Sequence, residues 1–188
     1  MTVSLDVPTS TRPAARTVVS VGTAVFSLVA FGLFVAVQMT GAADGSPLAT
    51  ASAVLVLLTL LALCAVAALM VQEHPMAGTT AAVTAAIGAG GAWADVFVLP
   101  SIVASGQMQT LSAYLGPVQF GYMLSFALLA AGWLMVAIVR LRAKETPTWA
   151  GIILLIGALL VLVPTADPLR ILVLAGAVAL SESRRRAR

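Results

Sequence analysis

Charge is scarce in this sequence. Of its 188 residues, 9% are charged and 61% are hydrophobic, whereas a soluble domain carries roughly 25% charged and about 45–50% apolar residues. That balance argues against a water-soluble globule, and against a disordered chain, which needs low hydrophobicity and many charges. Cysteine is limited to Cys64 and histidine to His74. One thiol forms no intrachain disulfide and no cysteine metal cluster, and one imidazole forms no bis-histidine haem site. Glu73 and His74 alone offer too few ligands for a metal and read as a solvated turn. No phosphate-binding glycine loop, nucleophile elbow or HExxH pattern occurs. Neither a metal nor a cofactor is expected, and an enzymatic role is weakened.

What the sequence has instead is long apolar runs, with a mean hydropathy of +1.07. A bilayer core of about 30 Å takes about 20 apolar helical residues. Six segments approach that standard: Thr17 to Thr40, Pro47 to Val71, Met76 to Val103, Leu111 to Arg140, Thr148 to Val163 and a shorter one from Pro168 to Leu180. The expected fold is all-α, a polytopic membrane bundle of six helices with no strands and no soluble domain. It divides into a cytoplasmic leader (1–16), one transmembrane domain (17–183) and a basic tail (184–188). Thr40-Gly41-Ala42 resembles a signal-peptide cleavage site. The preceding apolar stretch exceeds the 7–15 residues usual for such peptides, however, and is read as a retained helix. Pro100 is expected to kink or end the third helix.

Basic residues set the orientation, since they concentrate on the cytoplasmic side. With the N-terminus inside, nine of the ten basic residues fall there and only Arg170 falls outside. Both termini are therefore expected in the cytoplasm of a cell-membrane protein with an even number of spans. The basic residues flank apolar segments, so nucleic acid is not an expected partner. The lipid bilayer is one, and the arginine tail suits anionic headgroups.

Asp95 is the leading candidate for chemistry, because ionisable groups in membrane spans usually face a protein interior or water. In the expected topology it lies in the outer third, level with Arg170. Gln119 and Tyr122 share one face of the fourth helix there, and Gln38 ends the first. Together these five form a candidate polar pocket opening outward, with Asp95 and Arg170 as its ion pair. The alternative is interfacial: both ions reach the headgroups, and Trp93 and Phe97 are ordinary interfacial aromatics. Ala82, Ala86, Gly90 and Ala94 repeat every four residues, a pattern that permits close helix packing within the chain or against a second copy.

The stretch Ala92-Trp93-Ala94-Asp95-Val96-Phe97-Val98-Leu99-Pro100 is similar to a Trp-x-x-x-Phe-x-x-Pro pattern in a third helix. Gly132-Trp133-Leu134, Arg140, Pro147, Trp149-Ala150 and Gly157 resemble a helix end, a basic turn and the next helix. Both resemble a group of small multi-pass, six-helix membrane proteins of high-GC Gram-positive bacteria, a resemblance that implies neither activity nor catalytic residues. Membrane terpene cyclases are also small helical bundles, but the intramembrane acid pair they imply is not evident beside Asp95. Three functions are therefore expected. The first is a structural or accessory protein, with a partner membrane protein or a homo-oligomer. The second is a carrier or binder of a small solute or lipid, and the third a membrane enzyme on a lipophilic substrate.

Overall fold

The computed structural model describes residues 12–41, 46–98, 115–163 and 167–184, and among them forms six α-helices and no strand. They are α1 (Arg12–Thr40), α2 (Pro47–Met70), α3 (Pro75–Trp93), α4 (Leu115–Arg142), α5 (Thr148–Leu160) and α6 (Asp167–Ser183). A π-helical turn, Ala94–Val98, continues α3 without a break. The third helix thus leaves α geometry before Pro100, which lies outside the described residues together with 99–114. Among the described residues, three helices are long and apolar enough to cross a membrane: Val18–Thr40, Pro47–Met70 and Phe120–Arg142. At 13 residues, α5 reaches only about 20 Å, shorter than a hydrocarbon core.

Local chemistry explains the boundaries. Ser46 caps α2, its hydroxyl accepting the Ala49 N–H at 3.2 Å, and Pro47 sits in the first turn, where its missing N–H costs nothing. After Met70, the polar run Gln72-Glu73-His74 turns the chain and Pro75 opens α3. Gly78 makes that turn tight: a Cβ there would lie 2.6 Å from the Val71 nitrogen. At the far end of α4, Lys144 adopts φ +53°. The Glu145 N–H then reaches back to the Arg140 carbonyl at 3.2 Å, closing the helix with a left-handed C-terminal turn.

Helices adjacent in sequence pack on one another, and α6 closes the bundle against α1 and α2. Ser27 and Ser20, two turns apart on α1, donate to the α6 carbonyls of Leu172 (3.0 Å) and Ala179 (3.4 Å), so α1 and α6 run antiparallel. The core joins Leu60 and Leu63 of α2, Leu129 and Trp133 of α4, Leu154 of α5 and Leu174 and Val178 of α6. Where α4 crosses α3, Gly132 leaves room for the backbone of Ala81, whose Cα would lie 3.0 Å from an added Cβ.

The small-residue row that faces this core is not the expected one. Ala77, Ala81, Ala85, Ala89 and Ala92 are buried, whereas Ala86 and Gly90 are exposed and a Cβ on Gly90 would meet nothing within 4 Å. Ala82 and Ala94 are half-buried. Small residues surround α3 on every side, so spacing alone does not distinguish adjacent rows. The bulky Met76, Val83 and Ile87 project outward, and that turns the alanine row inward. Two ends also differ from expectation: α1 begins at Arg12, inside the expected leader, and α6 runs past Leu180 to Ser183.

Candidate functional site

Polar side chains collect at the two ends of the bundle. At one end, Arg170 is buried, with a relative exposure of 3%. Its guanidinium carbon lies 3.6 Å from the ring centroid of Phe126 and 6.0 Å from that of Tyr122, within cation–π range. Its Nη1 donates to the Val161 carbonyl at 3.3 Å. The two rings meet edge to face, 4.8 Å apart, so the negative face of Phe126 is held toward the cation.

Of the expected pocket, the described side chains thus unite Arg170 and Tyr122. Gln38 is exposed near the end of α1. The backbone of Asp95 belongs to the π turn and that of Gln119 to α4, but both side chains lie outside the described residues. The Arg170 guanidinium is buried and lies over the Phe126 ring. Phe126 was absent from the expected set. Its signal was present, since Tyr122 and Phe126 are four residues apart and share a helix face.

The opposite end is more heavily built. Arg140 is fully buried on α4. Its Nη1 donates to the Ser181 hydroxyl at 3.0 Å, and its Nη2 to the Met70 sulfur at 3.3 Å and to the Glu182 carboxylate, which forms its ion pair. One guanidinium therefore joins the ends of α2, α4 and α6. Nη1 and Nη2 are thus satisfied, whereas the buried Nε has no partner among the described residues; burial of a charged pair depends on such compensation.

Next to it, His74 Nε2 and Glu145 Oε1 are 2.8 Å apart. The carboxylate accepts, so Nε2 carries the proton in this contact. The Glu145 side chain is 3% exposed and that of His74 18%, so His74 does not stand in a solvated turn. At the N-terminus of α3 its side chain makes no capping bond; the ring is spent across the bundle on the α4–α5 turn. Glu73 completes the group, and the ligand atoms of Glu73, His74 and Glu145 all lie within 4.8 Å of one another. The sequence offered two adjacent donors; folding supplies a third from 71 residues away.

No protein family, curated protein or solved structure matches this chain. The arrangement itself is that of two polar clasps. One clasp seats a cation on an aromatic pair, and the other ties two turns and three helix ends together. Trp133, between them on α4, is fully buried with its indole N–H unpaired.

Proposed function

We propose that this chain is an integral protein of the cytoplasmic membrane whose role is structural or accessory, exercised through its lateral surface on a partner membrane protein. The observation that carries this reading is the inward commitment of two arginines, Arg140 and Arg170. Arg140 is engaged by Ser181, Met70 and Glu182, and Arg170 by Phe126 and Val161. A carrier would present such cations to a water-accessible cleft. The outer surface, in contrast, is apolar: Val18, Val21, Val25, Leu28, Val29 and Phe31 of α1 are all exposed.

The proposed threading is six helices with both termini cytoplasmic. The asymmetry of basic residues supports it, as do the contacts that gather the α2–α3 turn, the α4–α5 turn and the end of α6 at one end. Reporter fusions at Gly41, Gln107 and Thr165 should read outside, and fusions at His74, Lys144 and Arg188 inside. An outside signal at Arg188 refutes the threading.

A lipid-binding role is the second reading, favoured by a cleft of about 470 Å³ between α1 and α6, lined in part by Ser27, Leu28, Phe31 and Val173. Photo-crosslinking residues in place of Leu28 and Phe31, with Ile152 and Ile156 of α5 as controls, separate the two. A discrete protein adduct confined to the α1 positions supports the accessory role. Lipid adducts confined to α1 support lipid binding, and indistinguishable adducts from both helices refute both.

A further inference from the structure

We propose that Glu73, His74 and Glu145 form a binding site for a first-row divalent transition metal ion at the end of the bundle marked by the α2–α3 and α4–α5 turns. The three donors come from two turns separated by most of the length of α3 and α4, yet their ligand atoms lie within 4.8 Å of one another. One imidazole nitrogen and two carboxylate oxygens suit zinc, manganese, iron or cobalt; the imidazole disfavours magnesium and calcium. Three protein ligands with one position left to water is the open arrangement such ions adopt.

Burial points the same way. Glu145 is buried where it meets His74, and buried charges in proteins are paired or coordinate metals. The hydroxyl of Thr146, next in the chain, is buried without a hydrogen-bond partner and leaves polar capacity in the same turn. The Glu145 main chain is fixed by its bond to the Arg140 carbonyl, which holds one ligand in place before the ion arrives.

The geometry needs a small adjustment. Donors around a tetrahedral ion with bonds of about 2.1 Å stand about 3.4 Å apart. The His74–Glu145 pair, at 2.8 Å, must open slightly as the ring proton moves to Nδ1 and Nε2 takes up the metal. Glu73 is exposed, and its carboxylate already lies within 4.8 Å of the other two ligand atoms. The bound ion would pin the α2–α3 turn to the α4–α5 turn and keep its open position toward the aqueous side.

Co(II) is the probe, because its visible d–d bands report nitrogen and oxygen ligation directly. The full chain, purified in detergent with a tag free of histidine, should bind one equivalent with such bands. Glu73→Gln alters an exposed side chain and should weaken binding about tenfold or more, while His74→Asn should abolish the bands. Circular dichroism and gel filtration verify that both variants fold. Saturating Zn(II) should also raise the unfolding temperature of the unaltered chain and not that of Glu73→Gln. Absence of stoichiometric Co(II) binding by the unaltered chain, or unaltered affinity in either folded variant, overturns the site.

Discussion

Replacing Arg140 with leucine isolates the energetics of the buried clasp. Arg140 has no exposed surface, and the Glu182 side chain opposite it is 8% exposed. The substitution leaves that carboxylate without its cation and the Ser181 hydroxyl without its donor. Removing one partner of a buried ion pair costs about 3–5 kcal/mol, and the lost charge-assisted hydrogen bond to Ser181 is part of that, at about 1.5–3 kcal/mol. Unfolding by sodium dodecyl sulfate in mixed micelles, followed by circular dichroism, measures the loss. The double variant Arg140→Leu, Glu182→Leu should recover most of it, because an apolar pair of similar volume has no desolvation penalty. The expected coupling between the sites is therefore about 3 kcal/mol or more. A single-variant cost below about 1 kcal/mol, or simple additivity, would show that water reaches the pair and refute its burial.

Glycine substitutions test the packing directly: Gly78→Ala should destabilise by about 1–3 kcal/mol, since its Cβ would meet the Val71 and Met70 backbone at 2.6 and 2.8 Å. Gly90→Ala should be neutral or stabilising by up to about 1 kcal/mol, and a loss comparable to that of Gly78→Ala would mean that this face is packed against another copy. Phe126→Leu should cost about 2 kcal/mol through the lost contact with the Arg170 cation. Tyr122→Leu should cost less, because the cation lies 6.0 Å from its ring and 3.6 Å from that of Phe126. Equal losses for the two rings, in the same micelle titration, would contradict the stacking geometry.

Much of the fold was legible because apolar runs and their punctuation are strong local signals. Pro47 and Thr148 open α2 and α5 where the sequence places them, and α3 starts at Pro75, one residue before the expected Met76. The end of α6 was not legible, since Ser181 and Glu182 look like a polar tail unless their partner is known. Arg140 was assigned to topology for the same reason. Its position held a usable clue: it extends the buried row Leu129, Trp133, Val136 and Ala137 by one more turn, whereas Arg142 falls off that row and is exposed. Glu145 could not be tied to His74 from sequence, because nothing local encodes which two turns meet. The inward row of α3 was ambiguous by small-residue spacing; the outward Met76, Val83 and Ile87 set it, and Gly88, next to that row, faces Leu60 and Leu129.

The Arg140–Glu182 clasp has a consequence for biosynthesis. The two residues are 42 positions apart, and synthesis proceeds at roughly 5–20 residues per second. Arg140 therefore emerges roughly two to eight seconds before its carboxylate. During that interval the guanidinium lacks the carboxylate that offsets its burial, so α4 should reach its final packing only once α6 is made. A longer delay applies to Ser20 and Ser27, whose acceptors on α6 are made much later. The sixth helix is thus the keystone of assembly: nascent chains stalled before Ser181 should remain open, protease-sensitive intermediates, and completion of α6 should lock the first helix and the fourth in one step.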